Sequence, residues 1–84
     1  MRVATVESTT LATVGYDEAD ELLQLEFCSQ AVYQYFGVPA AVYRALLEAP
    51  SKGHYFNRII RGRFAYRLVR DGKAAVEIPA RQRR

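Results

Sequence analysis

Ser51, Lys52, Gly53 and His54 bring a hydroxyl, an ammonium, open backbone and an imidazole together in four consecutive residues. At the start of a helix such a run can hold an anion. Free amides and the positive dipole end point outward, and Ser51 and Lys52 add a donor and a charge. The same run also reads as an ordinary capped start, with Ser51 as the N-cap and Gly53 allowing close packing. It is not a P-loop, because the spaced glycines and the Lys-Ser/Thr pair are missing. Asn57, one turn after Gly53, faces the same groove and can hydrogen-bond a ligand or a neighbouring loop. Arg58, Arg61 and Arg63 follow, and guanidinium groups suit bidentate contacts to phosphate or carboxylate. His54 has no nucleophile to activate, so it reads as a surface or ligand-contacting histidine.

Tyr33 and Tyr35 are the second pair that could do chemistry. At i and i+2 of a strand they share a face. Bases stack on such pairs in sheet-type RNA binders. Gln34 lies between them and marks the opposite face as the solvent side. This favours tyrosines that cover the helices, with hydroxyls reaching the rim or a subunit interface. Cys28 has no cation beside it in sequence to activate its thiol. The carboxylates of "YDEADE" read as a solvated turn rather than a metal or acid/base cluster. With one histidine and one cysteine in the chain, no metal site, cofactor or catalytic constellation is expected.

The elements that must position these residues follow from periodicity. In "LATVGYDEADELLQLEF", Ala12, Val14 and Tyr16 alternate with Leu11, Thr13 and Gly15, and Leu23, Leu25 and Phe27 alternate with Leu22, Gln24 and Glu26. That is a β-hairpin with one face more apolar than the other. "CSQ" is a turn, and Ala31 to Phe36 is a third strand. "RVATVE" is a candidate edge strand. Gly37 and Pro39 end the sheet, with Pro39 expected at the first helical position. "PAAVYRALLEA" carries Val42, Leu46 and Ala49 on one stripe, which predicts an amphipathic helix stopped by Pro50. "SKGHYFNRIIRGRF" predicts a second helix, with Tyr55, Phe56, Ile59 and Ile60 inward and Gly62 at its end. "RFAYRLVRDGKAAVEIP" is a possible C-terminal hairpin around Asp71-Gly72. The expected fold is α+β: a three-stranded antiparallel meander followed by two short helices packed on one face, with a possible extra C-terminal hairpin.

The chain has 84 residues, room for a single domain with one core. A lone cysteine suits a reducing compartment and excludes an intrachain disulfide. Small domains without such staples often gain stability by oligomerising, so a homodimer or higher oligomer is expected. No apolar run approaches a membrane span, and "MRVATVESTT" lacks a signal-peptide core; a soluble, cytoplasmic protein is expected. Residues 79–84 read as a flexible basic tail.

The net charge of +3 conceals an asymmetry. Residues 1–50 hold seven acidic side chains against two basic ones, and residues 51–84 hold ten basic against two acidic. Two readings stand. The halves of neighbouring subunits pair, or the basic half meets an anionic ligand.

The stretches "VGYD", "LEF", "VYQYFGVP" and "VYRALLEAPSKGHYFNRIIR" resemble the KTSC domain. This is a short domain found at the C-terminus of some lysyl-tRNA synthetases and alone in small bacterial proteins. Its pattern has a hairpin opening, a Tyr-x-Tyr, a Val-Pro, and a Ser-x-Gly followed by an aromatic pair and a helix. Tyr33, Tyr35, Val38, Pro39, Ser51, Gly53, Phe56 and Asn57 are the matching positions, within a core of about residues 6–66. Members often carry a glycine at the turn before the last strand, where this sequence has Ser29 and Gln30. The resemblance implies a non-catalytic domain, and the synthetase fusion implies RNA. The leading expectation is therefore RNA binding, with Lys52, Arg58, Arg61 and Arg63 on phosphates. The alternatives are a purely protein–protein interaction domain, or an oligomer that holds or sequesters a phosphate-bearing, nucleotide-type ligand at a subunit interface, as a phage-encoded protein could.

Overall fold

A computed structural model describes residues 1–71. Five strands, β1 (Arg2–Thr5), β2 (Leu11–Asp17), β3 (Leu22–Phe27), β4 (Ala31–Tyr35) and β5 (Tyr66–Asp71), form one antiparallel sheet in sequence order. Between β4 and β5 lie helix α1 (Ala40–Glu48), helix α2 (Lys52–Tyr55) and a π-helical turn (Phe56–Ile60). The fold is α+β, and the sheet is larger than the expected three strands. "RVATVE" supplies β1, and Tyr66–Asp71 pairs directly with β4. The Asp71-Gly72 turn, the second strand of the expected C-terminal hairpin and the basic tail lie outside the described residues. Among the described residues, no helix is long and apolar enough to cross a membrane.

The sheet has two chemically distinct faces. Cross-strand register places Val14 beside Leu25, Tyr16 beside Leu23, and Leu23 beside Tyr35. These side chains meet Val38, Leu46, Phe56 and Ile60 in the core, which puts the helices over this face. Phe27, Val42 and Ile59, expected in the core, pack against its margin half-buried. An irregularity between Leu11 and Thr13 changes one expectation. The strict alternation assigns Ala12 to the apolar face, but Leu11 pairs with Phe27 and is fully buried instead. One extra residue in the strand rotates the larger side chain inward.

The opposite face is polar and cross-linked. Gln34 Nε2 donates to Gln24 Oε1 at 2.9 Å, and Arg67 donates to Gln34 Oε1 at 2.9 Å. Thr13 Oγ1 donates to Glu26 Oε1 at 3.2 Å, and Arg70 bridges to Glu26 Oε2 at 3.0 Å. The acidic link between β2 and β3 is the expected turn. Asp17 Oδ1 accepts the backbone N–H of Ala19 at 3.1 Å, a local turn-closing bond. At the β3–β4 turn, Gln30 takes a positive φ of 79°, the backbone conformation that explains a glycine preference there.

Two helix expectations are corrected. Pro39 precedes the first helical residue, with extended backbone and a carbonyl that accepts from the Val42 and Tyr43 amides at 3.0 and 3.3 Å. The second helix is not a uniform α-helix over "SKGHYFNRIIRGRF". After one α-turn it widens, and the Arg61 N–H donates to the Phe56 carbonyl, five residues back, at 2.9 Å. Gly62, at φ +80°, then ends it as expected.

Candidate functional site

Phe56 and Ile60 anchor the π-turn in the core, so the rest of its side chains divide between two flanks. Asn57 and Arg61 fall on the flank towards β4 and β5. There they border a groove of about 440 Å³. Its walls are Phe27, Tyr33 and Tyr66, and Tyr35 and Phe56 lie deeper. Thr10 and Ser29 add hydroxyls at its edge. Arg61 Nη1 donates to Asn57 Oδ1 at 3.4 Å, a long contact that tethers the guanidinium to the groove side.

The aromatic rings form a continuous set. Tyr33 stacks on Tyr35 with centroids 6.3 Å apart, and Tyr66 lies 5.7 Å from both. Phe27 meets Tyr33 and Phe56 edge-on at 5.7 and 5.3 Å. Such offset and edge-on geometries are the favourable ones for aromatic pairs. Exposure divides the set: Tyr35 is 5% exposed and Tyr66 61%. Tyr35 therefore covers the helices, as Gln34 on the opposite face implies, and offers no free ring face for stacking. Tyr66 offers that face, with Tyr33 half-buried beside it. Burial, with the neighbouring phenols of Tyr33 and Tyr66, pushes the Tyr35 phenol up to about 12 against a counter-effect from Arg61.

Ser51, His54 and Arg58 lie on the other flank. They border an apolar hollow of about 370 Å³ with Pro50, Tyr55 and Ile59. The Ser51 hydroxyl accepts the His54 amide at 3.3 Å, the N-cap bond expected of it. The Lys52 ammonium turns back to donate to the Ala49 carbonyl at 2.9 Å, closing the C-terminal end of α1. Gly53 packs on Thr10: a Cβ at this position would lie 2.5 Å from Thr10 Oγ1. Ser51, Lys52 and Gly53 are thus engaged in the joint between α1, α2 and the β1–β2 loop, while His54 is exposed beside the hollow. Arg63 is exposed beyond Gly62. The structure brings Tyr33, Tyr35, Asn57 and Arg61 together, and keeps Arg58 away from them.

Sequence reasoning missed Tyr66 and Phe27 as site residues. In "RFAYRLVR", Phe64, Tyr66 and Leu68 alternate with Ala65, Arg67 and Val69, which puts the first three on one face of a strand. What makes Tyr66 a groove wall is its register opposite Tyr35, a long-range pairing that alternation does not encode.

A third hollow, at the far end of the core, is lined by Tyr16, Asp17, Glu18, Tyr43 and Arg44. Tyr16 and Tyr43 stack there at 4.6 Å, 10° from parallel, and the Tyr16 hydroxyl donates to the Val38 carbonyl. Burial raises the Tyr16 phenol, and the Glu21 carboxylate adds to the effect.

A protein of Stutzerimonas stutzeri is 41% identical over 61 residues, covering 73% of this chain and 86% of that protein. A lysine–tRNA ligase of Nostoc punctiforme is 40% identical over 60 residues, covering 71% of this chain and 11% of the ligase. The crystal structure of a KTSC domain protein from Yersinia pestis superposes with a TM-score of 0.78 at 34% identity, over 81% of this chain and 96% of that one. A family model for the KTSC domain matches residues 7–64, so the chain belongs to the KTSC domain family.

Proposed function

We propose that the chain is a non-catalytic binding module for single-stranded RNA, and that the tyrosine groove is its contact surface. The observation that carries this reading is the meeting of exposed aromatic wall and cation in one place: Tyr66 and Tyr33 beside Arg61 and Asn57. Aromatic faces accept bases of any sequence, and an adjacent guanidinium accepts the backbone charge. The synthetase of Nostoc punctiforme is named for a tRNA substrate and carries a segment similar to this one, which supports RNA over other anionic polymers.

The two flanks of the π-turn make the reading specific. Arg61 lines the groove and Arg58 does not, so the two arginines contribute unequally. In a fluorescence titration with single-stranded RNA at several salt concentrations, Arg61→Gln weakens binding and makes the log–log salt slope shallower by about 0.7, the share of one phosphate contact. Arg58→Gln has the smaller effect on both. Tyr66→Ala costs roughly 1–3 kcal/mol of stacking. Wild-type affinity no better than that of an unrelated protein of equal charge would refute the RNA reading.

A further inference from the structure

The hydroxyl at the floor of the groove has an unusual environment. Tyr35 is 95% buried, by its 5% exposure. The buried Tyr16 hydroxyl donates to a carbonyl, but among the described residues the Tyr35 hydroxyl has no hydrogen-bond partner. Buried polar groups in folded proteins are nearly always paired, and an unpaired one points to a missing partner. The neighbours that act on this phenol electrostatically, Tyr33, Tyr66 and Arg61, all line the same groove. Tyr35 itself lines the groove with them.

A hydroxyl donor and a guanidinium lining one groove select an anionic oxygen, because both groups form their strongest hydrogen bonds with a charged acceptor. The aromatic wall selects a flat π-system. A lone phosphate would leave Tyr66 bare, and a lone base would leave Arg61 and the Tyr35 hydroxyl without an acceptor. At about 440 Å³, the groove lies at the small end of the range for small-ligand sites, roughly 300–1,000 Å³.

We propose, building on the nucleic-acid reading above, that the groove holds one nucleotide unit, with its base against Tyr66 and Tyr33 and a phosphoryl oxygen on the Tyr35 hydroxyl and the Arg61 guanidinium. The unit can come from a single strand or from a free nucleotide. The chemistry is shared, and the experiment separates the sources.

Isothermal titration of the full chain with adenosine and uridine monophosphates, with the corresponding nucleosides, and with tetra-adenylate and tetra-uridylate tests this. The expected result is one monophosphate per chain, bound at least roughly tenfold tighter than its nucleoside, since the hydrogen bonds in question go to a charged acceptor. Tyr35→Phe, which keeps the ring, brings the monophosphate down towards the nucleoside and leaves nucleoside binding unchanged. A melting temperature at or above wild type shows that this variant folds. Equal affinity for monophosphate and nucleoside, or wild-type affinity in Tyr35→Phe, overturns the proposal. If a tetranucleotide binds no tighter than its monophosphate, the RNA reading fails and a free nucleotide is the source. If a tetranucleotide binds tightly and Tyr35→Phe has no effect on it, the RNA reading stands and this one falls. Absence of binding by every probe overturns both.

Discussion

Tyr16 and Tyr35 are the same residue type at equal exposure, 5% each, yet their hydroxyls have different lives. The Tyr16 hydroxyl holds the Val38 carbonyl at the entrance to α1. Among the described residues, the Tyr35 hydroxyl makes no such bond. Removing an unpartnered buried hydroxyl does not destabilise a fold, and can stabilise it. The two phenols also make a testable pH dependence. The folded Tyr35 pKa is raised from 10.0 to about 12, so in this range the unfolded chain loses its proton before the folded one does. The stabilising contribution is complete below about pH 10 and is lost as pH rises through about 12. Tyr16 shifts in the same direction. Urea unfolding midpoints should therefore fall between about pH 9 and about pH 12, and Tyr35→Phe should flatten part of that fall. An equally steep fall in the variant would show that the shift belongs to other groups.

At the scale of elements, the decisive contact is the one between α2 and the β1–β2 loop. Gly53 approaches Thr10 so closely that a Cβ would sit 2.5 Å from the hydroxyl and 3.0 Å from the Thr10 Cβ. Helix propensity favours Gly53→Ala by about 1 kcal/mol, but the clash opposes it by roughly 1–3 kcal/mol. The variant should be destabilised. Thr10→Gly in the same chain should recover part of the loss, giving a coupling energy of roughly 0.5–3 kcal/mol in a double-mutant cycle. Additive effects in denaturant unfolding would mean that the two residues do not touch. The π-turn after α2 also matters at this scale. The wider turn keeps Phe56 and Ile60 inward while Asn57 and Arg61 line the groove. Wide turns of this kind occur often at functional sites.

For the whole molecule, one apolar layer joins the sheet to both helices. Phe56 is 7% exposed and touches Phe27 and Tyr35 edge-on at 5.3 and 5.8 Å. It thus holds the helices on the sheet and supports the groove floor together. Phe56→Ala should cost roughly 3–5 kcal/mol, a large part of the stability of a domain this small. Denaturant unfolding measures it, and a loss below about 1 kcal/mol would place this ring outside the core.

Much of this was already determined by sequence. The hairpin alternation, the Pro39 and Pro50 boundaries, the Ser51 cap and the spacing of Phe56 and Ile60 are local patterns, and local sterics and hydrogen bonding read them directly. The i, i+4 relation of Asn57 and Arg61 was legible for the same reason. Tertiary structure decided what depends on partners distant in the chain. The extra residue that turns Leu11 inward is measured against β3, and alternation within β2 alone points to Ala12. The placing of Tyr66 against Tyr35 depends on β5 returning beside β4 across two helices and a π-turn. The separation of Arg58 from Arg61 comes from a helix whose buried side is chosen by the sheet beneath it. Charge composition gave ten cations in the second half without saying which of them face a common groove. That requires the packed molecule, because a groove is made by surfaces that meet only after the chain has folded.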